Sequence, residues 1–389
     1  MPSREDLRRE NRLWSWKEGA AKTVTFIVTE DCQLRCKYCY LVGKNKTQRM
    51  DFEVARATVE YLLRTPQYYD SRSIVFDFIG GEPLIEIDLI DRICDYIKLR
   101  LYETDHPWFD SYRFSFSTNG LLYAKPKVQH FIAKNRTHIS IGISLDGTKS
   151  KHDANRVFAN GRGSYDRVVK AVPLWLRQFP EAQTKATISH DDLPFIKDSV
   201  LHLFSLGIRN VAINTVFEDV WKDGDDALFE QQLTALADAI IDADLWREHV
   251  CTLFTRNIGT PLDKNEDGNW CGAGKMLAVD GNGWFYPCNR FTGFSLHDKP
   301  GRIIGNCYDG IDPNKLRPFL ALTRKTQTSG ECSNCDVATG CAWCSGNNYD
   351  CSREGTLFDR ATYICKMHKA RVRANNYYWS KLQELRGPG

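Results

Sequence analysis

Short apolar runs alternate along this chain with longer stretches whose apolar positions recur every three or four residues. Thr23–Thr29, Ile74–Ile79, Tyr112–Phe116, Ile139–Ser144, Lys185–Ser189 and Val211–Val216 read as strands, each short and closed by small or polar residues. Helical spacing is carried by Phe52–Arg64, by Ile85 to about Leu101, by Pro126–Ala133 and by Pro194–Leu206. Another helix opens at Ser164, which is placed to cap it. A last amphipathic helix is predicted over Asp226–Trp246. Strands separated by helices imply parallel pairing, because a parallel neighbour requires a crossover. Six such units give an α/β fold, a partial (β/α)6 barrel smaller than the eight-stranded one.

The strands end in chemistry. The second is followed by Gly80-Gly81-Glu82-Pro83, where two residues without a Cβ let another group approach the backbone and Glu82 adds a carboxylate for an ammonium. Ser117 and Asn119 follow the third strand, and Ser144 and Asp146 the fourth. Hydroxyl and carboxylate groups in such places commonly meet ribose. Arg156 offers a fork for a carboxylate. Asn119-Gly120 and Asp146-Gly147 also read as ordinary turn dipeptides. A ligand carrying an amine, a carboxylate and a ribose would use all of these groups together.

Composition excludes several classes. The chain has 389 residues, 42% hydrophobic and 26% charged, and a net charge of +3, too small to argue for nucleic acid or an anionic membrane. It lacks an apolar run long enough to span a bilayer, and its first twenty residues lack a signal-peptide core. A reducing, cytoplasmic setting is expected, so its fourteen cysteines are read as metal ligands rather than disulfides. Cys32, Cys36 and Cys39 form a C-x3-C-x2-C run directly after the first strand, and nine more cysteines fall between Cys271 and Cys365. Iron–sulfur cubanes usually take four thiolates, so a triad leaves one iron open for chemistry. Cys94 lies in an apolar helical pattern and reads as a core thiol, while Cys251 has no partner by spacing.

With these residues in view, positions 20–220 resemble the radical S-adenosylmethionine (SAM) enzymes. The resemblance rests on the cysteine triad with Tyr38 before its last member, on Gly80–Pro83, on Ser117–Gly120 and on Ser144–Thr148. It implies that Cys32, Cys36 and Cys39 hold a [4Fe–4S] cluster whose open iron chelates SAM. It also implies that Gly80, Gly81 and Glu82 meet the methionyl ammonium and that the backbone near Tyr38 faces the adenine. Ser117, Asn119, Ser144, Asp146 and Arg156 would then serve ribose and carboxylate. One-electron reduction would release a 5′-deoxyadenosyl radical that abstracts hydrogen from substrate.

The C-terminal third resembles a SPASM domain. Cys271 is followed by eleven residues, Gly283, four residues and Cys288, then by Cys332-x2-Cys335-x5-Cys341-x2-Cys344, Cys351 and Cys365. The family pattern has three residues where this chain has two between Cys341 and Cys344. The resemblance implies two auxiliary [4Fe–4S] clusters: an outer one on Cys332, Cys335, Cys341 and Cys365, and an inner one on Cys271, Cys288 and Cys344. The inner fourth ligand is Cys351, Cys307 or an open iron. The expected division is an N-terminal extension over 1–22, a radical SAM barrel over 23–250, a SPASM domain over 251–370 and a C-terminal helix over 371–389.

Trp14-Ser-Trp-Lys-Glu-Gly, Cys39-Tyr-Leu-Val-Gly-Lys-Asn and Cys365–Trp379 resemble maturases of CXXX-repeat, ranthipeptide and sactipeptide precursors. That resemblance implies thioether crosslinks from cysteine sulfur to carbon, installed in a Cys-rich precursor peptide. It also calls for an electron donor such as flavodoxin or ferredoxin. About twenty residues precede the first strand, too few for a winged-helix leader-recognition domain, so a separate leader-binding protein or another surface is expected. The basic stretch Lys366–Arg373 reads either as such a surface or as a solvated helix face. Two alternatives stay open: a formylglycine-forming sulfatase maturase, with Glu218 or Asp219 as base, and a non-catalytic zinc or iron–sulfur module.

Overall fold

The computed structural model describes residues 21–43, 47–65, 71–263 and 271–386. The Trp14–Gly19 stretch, most of the 1–22 extension and Lys44-Asn45 lie outside the described residues. The predicted strands are present as β1 (Lys22–Thr29), β2 (Ile74–Gly80), β3 (Tyr112–Thr118), β4 (Ile139–Ile143), β5 (Gln183–Ile188) and β6 (Asn210–Thr215). Helices α1 (Phe52–Arg64), α2 (Ile87–Glu103), α3 (Pro126–Asn135), α4 (Lys149–Asn155), α5 (Val172–Gln178), α6 (Ile196–Ser205) and α7 (Asp225–Asp242) connect them. The last stops short of the predicted Trp246. Asp244 takes a left-handed φ of 54°, which a short polar side chain tolerates, and Leu245–Arg247 is a separate turn.

β1 to β4 pair in parallel, β5 pairs in parallel with β6, and β6 pairs in turn with the two-residue β7 (Val250–Cys251). A bridge between Ser144 and Lys185 carries the curvature from one sheet to the other. On the free side of β1 stands β8 (Leu277–Val279), also parallel, followed by antiparallel β9 (Trp284–Tyr286), β10 (Gly305–Asn306) and β11 (Gly310–Ile311). The cysteine-rich part of the chain therefore continues the barrel's own sheet.

Alternation along the strands separates two faces. Phe26, Phe76, Phe78, Phe114 and Phe116 are buried under the helices, with Phe78 stacked on Phe26 at 5.6 Å and on Phe116 at 5.2 Å. Ile90, Ile93 and Ile97 of α2 complete this layer, and Cys94 lies buried among them as the core thiol expected. The concave face carries the alternate positions, many of them polar: Thr25, Asp77, Ser115 and Ser140 are cross-strand neighbours in one row.

After β11 come α8 (Pro313–Leu320), α9 (Ser345–Cys351) and α10 (Cys365–Arg386), the last packed along α7. The basic stretch at the start of α10 is engaged inside the molecule. Arg373 pairs with Glu230 at 2.6 Å, Arg371 donates to the carbonyls of Thr252 and Leu253, and Lys366 donates to the carbonyl of Lys222. No described helix is long and apolar enough to cross a membrane.

Candidate active site

The loop leaving β1 carries Cys32, buried, and Cys36 and Cys39, half-buried. The Leu34 amide points at the Cys32 sulfur from 3.4 Å, and the Arg35 guanidinium donates to the carbonyls of Cys32 and Leu34 at 2.7 and 3.2 Å. Backbone bonds from Arg35 to Val157 and from Lys37 to Asn155 clamp the loop onto the end of α4. The thiols thus stand on a braced segment at the C-terminal edge of the sheet, where barrel chemistry is usually found.

Gly80 and Gly81 do permit close approach, but the visitor is the protein itself. A Cβ on Gly80 would stand 2.2 Å from the Thr29 carbonyl oxygen, and one on Gly81 2.2 Å from that of Asp31. The Gly81 amide donates to Thr29 and the Glu82 amide to Asp31, so the two glycines let the cysteine loop lie directly on the end of β2. Glu82, expected to meet a ligand ammonium, is instead 1% exposed. Its carboxylate accepts from Thr118 Oγ1 at 2.7 Å, from the Asn119 amide at 2.7 Å and from the Leu84 amide at 3.1 Å. Burial raises its pKa in spite of these donors. Glu82 ties the end of β2 to the end of β3. Asn119, four-percent exposed, reaches Gln33 Oε1 at 3.0 Å and lies 3.9 Å from the Cys32 sulfur.

Asp146 and Arg156 are also brought to the triad, by the side chain of Tyr38, for which no local pattern predicts a partner. The Tyr38 hydroxyl donates to Asp146 Oδ2 and accepts from Arg156 Nη1 at 2.8 Å. Asp146 is fully buried, so its carboxylate holds the cysteine loop rather than standing open toward a ribose. His152, which sequence reasoning missed, sets this group. Its Nδ1 accepts from the Asp146 amide at 3.3 Å, its Nε2 meets Ser164 Oγ at 2.9 Å, and Ser164 donates to the Arg156 carbonyl at 2.7 Å. Burial, with the Arg156 charge beside it, lowers the His152 pKa to about 4, so the ring is neutral there. Ser117 is exposed on the concave face, and Ser144 is half-buried where its amide joins the Thr118 carbonyl.

These residues fit the cofactors that the sequence resemblance implies. Arg156 Nε is buried without an acceptor among the described residues, and its guanidinium interacts electrostatically with the Cys36 thiol. An orphaned buried donor is costly. A ligand carboxylate beside the triad would satisfy it.

Seven of the remaining cysteines sort into two sets. Cys341 and Cys365 feel Cys332 and Cys335, and all four surround one end of α10. Cys288 feels Cys344 and Cys271, and Cys344 feels Cys271. Burial and neighbouring thiols raise the pKa of Cys288, Cys341, Cys344 and Cys365, so bare thiolates would be unstable and a cationic centre would repay them. Donors already face the sulfurs: the Ser345 amide lies 3.4 Å from Cys271, and the Arg360 guanidinium 3.3 Å from Cys341. Among the described residues no His, Cys, Asp and Glu group closes on a single point as one metal ion requires. A cubane instead takes one thiolate per iron. Cys307 lies with Thr58, Tyr308 and Asp280, apart from both sets. Cys351 is exposed, and the groups it feels include Glu218 and Arg290, which also adjoin the inner set.

Arg290 connects the inner set to the first loop. It donates to Glu218 at 3.0 Å, stands 4.8 Å over the Tyr40 ring, and is electrostatically coupled to Cys344. Asn289 donates to the Tyr40 hydroxyl at 2.8 Å, and Tyr40 directly follows Cys39.

Residues 26–189 match the radical SAM superfamily model. The chain carries a radical SAM domain. That family uses SAM and a [4Fe–4S] cluster, and Cys32, Cys36, Cys39 and Arg156 all lie inside the matched region. An uncharacterized protein of Methanocaldococcus jannaschii is 28% identical over 187 residues, which is 48% of this chain and 60% of that one. The match thus takes in less than two thirds of that relative. A serine-type anaerobic sulfatase-maturating enzyme of Bacteroides thetaiotaomicron is 21% identical across 86% of this chain and 84% of its own. The antilisterial bacteriocin subtilosin biosynthesis protein AlbA of Bacillus subtilis is 23% identical across 82% and 66%. In fold, the chain is similar to anSMEcpe with bound AdoMet, with a TM-score of 0.70, 19% identity, and coverage of 92% and 98%. It is also similar to Streptococcus suis SuiB bound to precursor peptide SuiA, at 0.60, 14%, and coverage of 93% and 80%. The radical SAM domain therefore sits in a chain whose relatives include named maturases across most of its length.

Proposed function

We propose that this chain is a radical SAM peptide maturase that joins a cysteine sulfur to a carbon of another residue in a ribosomally made precursor peptide. The observation that carries this reading is the inner thiol set. Cys271, Cys288 and Cys344 gather beside the Tyr40–Arg290–Glu218 group that reaches the first loop. Cys351 and Cys307 stay outside the inner set in this reading, and a substrate cysteine supplies the fourth thiol. In this reading Cys32, Cys36 and Cys39 hold the first cluster, the inner set and the Cys332, Cys335, Cys341 and Cys365 set hold two auxiliary ones, and residues 251–370 are a SPASM-type domain.

When bound, SAM and its cluster supply a carbon radical able to take hydrogen from an unactivated C–H bond. The chain's own groups do the rest. Arg156 turns its unpaired donor to the SAM carboxylate, while Tyr38, Asp146 and His152 keep that guanidinium in place. Glu218, held by Arg290, is positioned to accept the proton of a substrate thiol. Forming the C–S bond removes one hydrogen from carbon and one proton from sulfur. The electron left over passes to an external acceptor, with flavodoxin or ferredoxin as the redox partner the reading calls for.

The Bacteroides relative and the anSMEcpe fold favour a second reading, oxidation of a sulfatase cysteine or serine to formylglycine. Mass spectrometry of a Cys-rich peptide incubated with reconstituted protein, SAM and reductant separates the two. A loss of two hydrogens, with the product resistant to thiol alkylation, supports the thioether. Exchange of sulfur for oxygen supports formylglycine and removes the first reading.

A further inference from the structure

Each auxiliary cysteine set has a guanidinium beside it, and the two are engaged differently. At the inner set Arg290 is paired with Glu218 at 3.0 Å, and the donor that meets a sulfur there is the neutral Ser345 amide, 3.4 Å from Cys271. At the outer set Arg360 Nη2 donates directly to Cys341 Sγ at 3.3 Å, and among the described residues no carboxylate pairs with Arg360. The Arg360 guanidinium lies 4.5 Å over the Trp343 ring. Trp343 is one of the two residues that join Cys341 of the outer set to Cys344 of the inner one. Its indole Nε1 is buried without an acceptor among the described residues.

Hydrogen bonds to the ligand sulfurs and the charge around them help to set the reduction potential of an iron–sulfur cluster. One-electron reduction adds negative charge, so a donor carrying a full positive charge favours the reduced form more than a neutral amide does. The other charges near the outer set are screened. Cys332, Cys335 and Cys365 line an open cavity of about 630 Å³ with Glu331, Asp336 and Lys369, where water and salt weaken the effect of those side chains. Cys341 and Arg360 lie outside that lining. Contact with the Trp343 face holds the guanidinium in place. The orphaned indole N–H is costly when buried, and a cluster sulfide would satisfy it.

We propose that Arg360, held on the Trp343 ring, raises the reduction potential of the outer cluster above that of the inner one through its hydrogen bond to the Cys341 sulfur. This rests on the reading that Cys332, Cys335, Cys341 and Cys365 hold an auxiliary cluster. Arg360 and Trp343 are positioning residues, acting through the Cys341 ligand. In forming the C–S bond the carbon hydrogen goes to the adenosyl radical and the thiol proton to Glu218, so one electron remains. The offset in potential draws that electron away from the first loop and toward the solvent-open outer set, from which an acceptor of the flavodoxin or ferredoxin class removes it.

The test is a redox titration of the reconstituted full chain, followed by electron paramagnetic resonance. A Cys32→Ala, Cys271→Ala background isolates the outer cluster, and a Cys32→Ala, Cys365→Ala background isolates the inner one. The outer midpoint is expected to lie above the inner. Arg360→Met is expected to shift the outer equilibrium about tenfold toward the oxidised form, the scale of one charged hydrogen bond. That is a midpoint about 59 mV lower for one electron, with the inner midpoint moved by less than about half as much. Arg360→Lys, which keeps the charge, is expected to recover part of the shift. About four irons retained in the outer-cluster background show that the cluster is in place. An outer midpoint at or below the inner, an Arg360→Met variant that leaves it unmoved, or equal shifts of both midpoints overturns the proposal. Loss of the outer irons in Arg360→Met and Arg360→Lys alike would show a bracing role alone and overturn it too. If the Cys32→Ala, Cys271→Ala protein binds no cluster while the Cys32→Ala, Cys365→Ala protein does, the assignment of the outer set fails, and the proposal with it.

Discussion

Arg156 Nη1 donates to the Tyr38 hydroxyl at 2.8 Å, joining residues 118 positions apart. The bond makes the shape of the cysteine loop depend on the loop after β4, so cofactor affinity and loop geometry are not separable. Arg156→Lys keeps the charge and loses the fork. It is expected to raise the KM for SAM about tenfold or more. Tyr38→Phe is expected to lower stability by about 1–2 kcal/mol, read by denaturant unfolding, because Asp146 loses a buried donor.

Gly81→Ala would set a Cβ 2.2 Å from the Asp31 carbonyl oxygen, a backbone atom that cannot swing aside. The cysteine loop must then lift from β2. The expected result is loss of SAM cleavage with the auxiliary irons retained, seen as about eight irons remaining per chain.

Three cubanes correspond to about twelve irons after anaerobic reconstitution. Cys271→Ala or Cys344→Ala is expected to remove about four, whereas Cys307→Ala is expected to remove none, since Cys307 lies with Thr58 and Asp280. Cys32→Ala is expected to abolish SAM cleavage. Bound zinc without SAM cleavage in the wild type would leave only the non-catalytic module.

His152 gives the apo protein a defined acid limb. Its folded pKa, about 4, lies below the ordinary histidine value of 6.5, so its contribution is present above pH 6.5 and lost as pH falls from there toward 4. His152→Gln is expected to flatten the fall in thermal midpoint across that window. An unchanged slope would place the acid sensitivity elsewhere.

The Lys151–Asp192 pair, 3.6 Å apart and 2% exposed on both sides, underlies the same region, with Lys151 also bound to the Thr187 carbonyl. Asp192→Ala strands a buried ammonium and is expected to cost about 3–5 kcal/mol in chemical denaturation. Lys151→Met with Asp192→Leu is expected to recover most of that loss.

Much of this was legible from the chain. β1 to β4 announced themselves because their convex positions are Val, Ile and Phe. β5 was placed two residues late, since Gln183 is polar and exposed and reads as loop. The SPASM resemblance implied one set of Cys332, Cys335, Cys341 and Cys365 and another of Cys271, Cys288 and Cys344; in the structure Cys341 feels Cys332, Cys335 and Cys365, and Cys288 feels Cys271 and Cys344. The groups at the strand ends were legible as a set but not in their duties. Glu82 and Asp146 look like ligand contacts in sequence, and their partners, Thr118, Asn119 and Tyr38, are set by tertiary burial that no local pattern encodes. His152, Arg290 and Arg360 carry no motif, and only the fold shows what they face.

β8 has a consequence for how this protein can be dissected. It hydrogen-bonds along Val24–Phe26 of β1, the strand that delivers Cys32. A fragment ending before residue 271 would leave that strand with a bare edge, open to pairing with other chains. The cofactor half is therefore not a portable cassette, and exchanging C-terminal segments between maturases to change the substrate would rebuild the floor under the first cysteine loop.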